Sequence, residues 1–562
     1  MMRILIRFGA VAASAIALGA CNLEVQNPNS PETKRVLATP TDVESLLANY
    51  YLRWHSGMYG SLGNVWGMAS VQAFENYSSL NNNQLNARAG IPRPSNDNSP
   101  GNSGAGENLR VYAVENEVAR VASSILTQFD QGLTLGDPGR NFRARAFGEF
   151  LRGVALGYLA MTYDSSAVIA PGMSNEDPGQ LRGYAEVMDS ALAALTRSIA
   201  YAPQGAAAFP LPANWIPSST SFTLAEFVKL ARSYKARLRA NVARTPAERA
   251  AVDWTQVIAD ATNGITADHD NITNPVNGPF NSWVSQFHSY GLWHQMTPFV
   301  IGMADVSGAY DGWIKTTLDN RNGFHMETPD LRFPQGTTRA QQQADFAVAR
   351  DCNAAATPCK RYFRNRPAGE DQLAGLGWGL SEYDFVKFHS WRNFGDAGTA
   401  RSGKLVFMTK AEMDLLAAEG YYRKVDYANA AALINVTRTR GMVGGVAKGG
   451  GLPAVTATVD GGLSGANCVP KKPFGEGPSA TITCGDLWEA LKYEKRIETA
   501  YTHFAAWLFD MRGWGDLAVN TPLDWAPPYD DLLARGRAFS AIYNTGGGGN
   551  NIHSAAKGTY GW

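Results

Sequence analysis

Hydrophobic positions along the chain recur mostly at helical spacing. Thr41-Asp42-Val43-Glu44 opens such a pattern, with Thr41 as the expected N-cap and Val43, Leu46, Leu47 and Tyr50 on one face. In "NFRARAFGEFLRGVALGYLAMTY", Phe142, Ala146, Phe150, Val154 and Tyr158 recur every fourth residue, while Arg143, Arg145, Glu149 and Arg152 fall off that stripe. Gly153 and Gly157 cut a notch where a second helix can come close, and "YAEVMDSALAALTRSIAYAP" supplies one. The device recurs twice. "FTLAEFVKLARSYKARLRANVA" begins with Thr223 and Glu226 as a capping box, with Phe222 and Phe227 as a staple and Leu230, Ala231, Tyr234 and Leu238 facing inward; "DWTQVIADATNGI" is its mate. "MTKAEMDLLAAEGYYRK" repeats the box with Thr409 and Glu412, and "DYANAAALINVTRTRG" follows, with Gly441 as its expected stop.

Two stretches break the helical period. Residues 55–108 carry "NNNQLN" and "RPSNDNSPGNSGAG", whose Asn, Ser, Gly and Pro predict an exposed excursion. Residues 266–400 scatter Trp283, Tyr290, Trp293, Tyr310, Trp313, Trp378 and Trp391 through Gly-, Asn- and Pro-rich sequence, and loops this long in a folded protein usually carry function. The expected architecture is therefore mainly α. Its helical-pair scaffold resembles degenerate tetratricopeptide-type repeats without a strict period, and a loop-rich second region carries the aromatic residues. The expected division is 1–20, a signal peptide; 21–40, a polar tether; 41–265, an N-terminal helical region; and 266–562, a C-terminal region with loops 266–400 and helices 409–440 and 486–512.

The N-terminal segment is read as targeting rather than fold. Arg3 and Arg7 precede an uncharged apolar run from Phe8 to Ala20, too short for a membrane-spanning helix, which needs about 20 residues, but right for a secretory signal. Leu18-Gly19-Ala20-Cys21 resembles the bacterial lipobox, in which the cysteine receives diacylglycerol and becomes the new N-terminus. An ordinary cleaved signal is the alternative. Cys21 is thus the expected lipidation site, and acyl chains would hold the protein on a membrane without spanning it. Asn22, where an Asp would signal inner-membrane retention, favours the outer membrane.

Lys and Arg number 50, as do Asp and Glu, so no basic excess is available for nucleic acid. Four further cysteines form two close pairs, Cys352 with Cys359 and Cys468 with Cys484. In an exported chain an even count reads as two disulfides. Zinc is the rival, but neither pair has ligand spacing or a nearby His, so no metal and no cofactor is expected.

Catalytic motifs fall short. "GTARSGKL" has Gly398, Gly403 and Lys404 at P-loop spacing, but Leu405 stands where a magnesium-binding hydroxyl belongs. "DHDN" at 268 offers two carboxylates without the Gly and distal Glu of an EF-hand, at most a loose calcium site. His288 and His294 lie six apart without a metal-ligand pattern. Carboxylate pairs for glycoside hydrolysis are set in space and stay open.

The lipobox and tether, the hairpin "RAFGEFLRGVALGYLAMTYDSSAVIA", the pair "KAEMDLLAAEG" and "AAALINVTRTRGMV", and the closing "YEKRIETAYTHFAAWLFDMRGWGDL" together resemble the SusD/RagB family of outer-membrane nutrient-binding lipoproteins. Glu494, Arg496, Glu498, Asp510, Met511, Arg512, Trp514 and Gly515 approximate that family's closing motif, although the interval from Glu498 to Asp510 is about two residues longer and "THFAAW" replaces its Glu-Gly-x-Arg. The resemblance implies a non-catalytic cell-surface lipoprotein that binds a glycan, oligosaccharide or peptide and passes it to a SusC-like TonB-dependent barrel transporter. It places ligand contacts on loop aromatics, here Trp66, Tyr77, Trp283, Trp293 and Trp313, whose flat rings can cover the apolar face of a sugar. The alternatives are a lipid-anchored glycan hydrolase and a helical-repeat scaffold in envelope assembly.

Overall fold

A computed structural model describes residues 39–59, 65–78, 85–94, 96–102, 105–174, 176–273, 294–346, 359–367, 376–388, 403–503, 505–537 and 560. Eleven helices frame it: α1 (Pro40–Tyr59), α2 (Val65–Gln72), α3 (Ala105–Asp130), α4 (Pro138–Thr162), α5 (Tyr184–Tyr201), α6 (Leu224–Asn241), α7 (Trp254–Thr262), α8 (Lys410–Arg423), α9 (Tyr427–Arg438), α10 (Leu487–Thr499) and α11 (Ala506–Trp514). The strands that accompany them are short and form two-stranded sheets. No helix among the described residues is long and apolar enough to cross a membrane.

The expected caps of α6 and α8 form: Thr223 Oγ1 accepts from Glu226 N–H and Thr409 Oγ1 from Glu412 N–H, each satisfying a first-turn donor. The first helix corrects its expectation. Thr39, not Thr41, accepts from Asp42 N–H at 3.2 Å, and Pro40 is the first helical residue, where a missing N–H costs nothing. Gly441 does not stop α9, which ends at Arg438 with Thr439 still near helical geometry. Instead Met442–Val443 and Val446–Ala447 form a hairpin through Gly444 and Gly445, whose φ values of 59° and 80° suit a two-residue turn that needs both positions left-handed.

Helix α4 is the axle. It packs against α1, α3, α5 and α6, so its polar side is buried along with its apolar stripe: Arg152 Nε donates to Ile169 O at 2.8 Å and Arg197 Nε to Glu149 at 2.6 Å. The glycine notch admits two neighbours. A Cβ on Gly153 would sit 2.7 Å from Leu195 Cγ and 3.0 Å from the Ala191 carbonyl oxygen, and one on Gly157 would sit 2.4 Å from Leu238 Cδ1. Leu238 can give by rotating, but the Ala191 backbone can move only with its helix. We therefore expect Gly153→Ala to lower unfolding free energy by about 1–3 kcal/mol in urea titration. An unchanged midpoint would mean that the helices are not held at this separation.

The excursion expected over 55–108 is not one in its described parts. They hold the end of α1, all of α2, a short helix Leu85–Ala89 and the approach to α3. Their polar residues turn inward because partners are supplied, by the C-terminal segment where Asn98 Nδ2 donates to Pro527 O at 2.9 Å and Asn108 Nδ2 to Ala526 O at 3.1 Å, and by the segment itself where Arg88 donates to Asn96 at 2.8 Å.

The expected loop layer of 266–400 is likewise corrected where it is described. Tyr310, Trp313 and Trp378 are buried and form an aromatic cluster with Phe74, Tyr77 and Phe299. Trp283, Tyr290, Trp391 and the backbone of Trp293 lie outside the described residues. Strand His269–Thr273 pairs antiparallel with Gly403–Met408, so Gly403, Lys404 and Leu405 of the P-loop look-alike lie in a strand, while Gly398 lies outside the described residues. The "DHDN" carboxylates serve the chain itself: Asp268 accepts Lys410 N–H at 2.8 Å, and Asp270 accepts Ser219 N–H at 2.7 Å. A disulfide joins Cys468 to Cys484 at the end of the hairpin formed by Lys471–Phe474 and Thr481–Cys484. Cys359 is also disulfide-bonded, while Cys352, its expected partner, and Cys21 lie outside the described residues.

Candidate functional site

The site grows from charge buried beneath it. Eight of the eleven largest fully buried side chains among the described residues are arginines, so each needs compensation. Arg332 shows how it is met: it pairs with Asp330 at 2.7 Å, with Glu494 at 2.7 Å and with Glu498 at 3.1 Å. Glu494 and Glu498 are four residues apart on α10 and so present one face. Burial alone would lower the Arg332 pKa, but Asp330 and Glu494 outweigh it and hold it well above the usual range. Burial raises the Glu494 pKa despite Arg332.

Glu498 carries this hub outward. Its Oε1 accepts from Arg332, and its Oε2 accepts from Lys387 Nζ at 2.8 Å and lies 3.5 Å from the Tyr362 hydroxyl. Lys387 Nζ also stands 3.8 Å over the Tyr362 ring, a cation–π contact. Burial, reinforced by Glu498, pushes the Tyr362 hydroxyl up to about 12. Above these residues opens a cleft of about 400 Å³ between the N-terminus of α8, the C-terminus of α9, the 442–447 hairpin, residues 359–362 and Lys387. Arg361, Lys387, Lys410, Arg440 and Lys448 line it with Asp268, Asp414 and Glu498. Val436, Val446 and Ala447 add apolar wall.

Most of these charges are already engaged. Lys410 bonds Asp414, and Arg361 Nε bonds Asp345 at 2.9 Å. Arg440 and Lys448 are exposed at the mouth, and neither side chain has an ion pair or hydrogen bond with a described residue. No group of three or more His, Cys, Asp or Glu among the described residues could hold a metal ion.

The aromatic residues expected to meet ligand are placed differently. Tyr77 is fully buried in a strand, pairs edge-on with Trp378 at 5.3 Å, and its hydroxyl accepts from Leu376 N–H at 3.0 Å. Trp313 is 5% exposed and covered by Arg321, 4.5 Å from its ring. Neither presents a ring face to solvent, which corrects the expectation for these two. Trp66 stands in α2, a helix rather than a loop, and Trp283 and Trp293 lie outside the described residues. The closing motif, by contrast, is structural. Asp510 accepts from Lys495 at 2.7 Å and Arg249 at 3.1 Å; Arg496 pairs with Asp516; Arg512 donates to the carbonyls of Asn241, Ala243 and Leu523; Trp514 Nε1 donates to Glu419; and Gly515 closes α11 at φ 81°.

Sequence reasoning named Glu498 but missed Arg361, Tyr362, Lys387, Arg440 and Lys448. The one available signal was "RTRGMVGGVAK", whose Gly444-Gly445 between apolar pairs is a hairpin mark that holds Arg440 and Lys448 at the two ends of one turn.

The described scaffold matches known structures. A SusD homologue from Parabacteroides distasonis ATCC 8503 superposes with a TM-score of 0.51 at 13% identity, covering 92% of each chain. A SusD superfamily protein from Bacteroides vulgatus ATCC 8482 covers 92% of this chain and 94% of its own at 14% identity, TM-score 0.48. A chitin-binding SusD homologue from Flavobacterium johnsoniae covers 83% and 85% at 12%, TM-score 0.48. No family model and no curated protein matches the sequence. At such identities the likeness is one of fold: the chain adopts the mainly α, SusD-like fold.

Proposed function

We propose that this protein is a cell-surface lipoprotein that captures an extracellular nutrient, an oligosaccharide in our reading, and delivers it to a TonB-dependent outer-membrane transporter without chemically changing it. The observation that carries the proposal is the SusD-like fold, shared over 92% of both chains with the Parabacteroides distasonis homologue. Fold alone does not fix function; the cleft adds a site of ligand size, in which charged donors and acceptors surround a short apolar wall. Its one carboxylate of the buried hub, Glu498, has both oxygens bonded to cations, which suits a fixed wall of a binding site.

Cys21 anchors the protein in this reading. In cells lacking the barrel partner, Cys21→Ala should move the protein from the membrane to the soluble envelope fraction. Full retention of the variant on the membrane contradicts lipid anchoring. Capture itself is tested with a panel of oligosaccharides and peptides: saturable binding of an oligosaccharide with no new reducing ends supports it, and released ends would make the protein a hydrolase.

A further inference from the structure

The cleft is basic on a chain that is not. The whole sequence balances 50 cations against 50 anions, yet five cations and three carboxylates line this one cavity. The three carboxylates are committed. Glu498 is held by Lys387 and Arg332, Asp414 by Lys410, and Asp268 accepts the Lys410 backbone N–H. Arg361 is neutralised from behind by Asp345. What remains is Arg440 and Lys448, brought side by side at the base of the 442–447 hairpin, where Lys448 N–H donates to Gly441 O at 3.1 Å, and without a carboxylate partner among the described residues. Among the described residues Tyr362 is the one ring that lines the cleft, and Lys387 covers it at 3.8 Å. Among the described residues a neutral sugar finds no open ring to stack on, whereas an anionic group finds two cations without an ion pair beside a wall of Val436, Val446 and Ala447.

We infer that the ligand of this cleft is an anionic oligosaccharide whose carboxylate or sulfate groups are met by Arg440 and Lys448. The inference rests on the oligosaccharide-binding reading above and narrows it. Arg440 supplies a planar fork that takes two oxygens of one anion, and Lys448 supplies a point charge. Both are solvent-exposed, so the attraction weakens as salt rises.

Calorimetric titration of the full chain tests this with three probes of equal length: an oligogalacturonate, a sulfated galactan oligosaccharide and a neutral galactan oligosaccharide. The expected result is binding of at least one charged probe about tenfold tighter than the neutral one, from two exposed charge contacts. The preference should shrink in high salt and vanish in the Arg440→Glu/Lys448→Glu double variant. Which charged probe binds tells carboxylate from sulfate. The two residues are exposed, and an unaltered thermal midpoint confirms that the variant is folded. Equal binding of the neutral probe, or a preference that survives the double variant, overturns the inference and leaves the oligosaccharide reading in place. Binding of none of the three by the wild-type protein overturns both.

Discussion

Arg332→Met is expected to lower the unfolding free energy by about 3–5 kcal/mol, because it strands Asp330, Glu494 and Glu498 in the interior without their shared cation. Methionine fills much of the same volume, so the loss reports charge more than cavity. Urea titration at neutral pH measures it. Adding Glu494→Gln should recover part of the loss, since it removes one of the stranded charges, and the double-mutant cycle isolates their coupling. A change below about 1 kcal/mol would mean that water or another cation already compensates this hub. The same variant should weaken ligand binding indirectly, because Glu498 would lose its inner partner while keeping Lys387.

The second large effect is a pH dependence set by Glu75. This carboxyl is fully buried, and burial pushes it up to about 8, against the opposing hydrogen bond from Tyr501 N–H at 2.8 Å. In the unfolded chain it titrates near 4.3. Between those values the folded state holds a proton that the unfolded state has lost, so rising pH favours unfolding. Stability should therefore fall by a few kcal/mol from about pH 5 to about pH 8 through this one group, at about 1.4 kcal/mol per pH unit. Glu75→Gln keeps an acceptor for Tyr501 N–H and removes the titration, so it should remove this fall and stabilise the protein at pH 8. Urea midpoints across that range check it. Burial holds the imidazoles of His55 and His269 down at about 3 and about 4, so they add a rise in stability up to about pH 6.5, and the difference between the wild-type and Gln profiles isolates Glu75. A Gln variant with the same slope as the wild type contradicts the assignment.

Helix pairs were legible because their information is local. Thr223 with Glu226 and Thr409 with Glu412 mark starts within four residues, and the apolar spacing of Leu230, Ala231, Tyr234 and Leu238 points to one side. The notch at Gly153 and Gly157 was legible for the same reason. What was not legible depends on partners far along the chain. Asn98 and Asn108 read as surface residues, yet they are buried because backbone carbonyls some 420 residues away receive their amides. Arg332 gives no hint of burial until Glu494 and Glu498 are brought over it, 162 and 166 residues on. Tyr77 and Trp313 looked like surface aromatics because Gly, Asn and Pro surround them, but short helices and strands from three segments close over both rings.

The candidate site was harder still. Lys387 and Tyr362 sit on short irregular segments with no period to follow, and their meeting with Glu498 is a product of the tertiary fold. The closing motif gave Glu498 a number but not a role. Among its members Asp510 ties α11 to Lys495 of α10 and Trp514 ties α11 to Glu419 of α8, while Glu498 is the member that lines the described cleft.

The claim that a SusD-like scaffold holds its ligand in the cleft above Glu498 is tested most directly by a crystal structure of the protein soaked with the tightest-binding oligosaccharide of the panel. The account predicts sugar density within hydrogen-bond reach of Lys387, Arg440 or Lys448 and in contact with Val436 or Val446. Well-ordered sugar bound elsewhere, with this cleft empty, would contradict it.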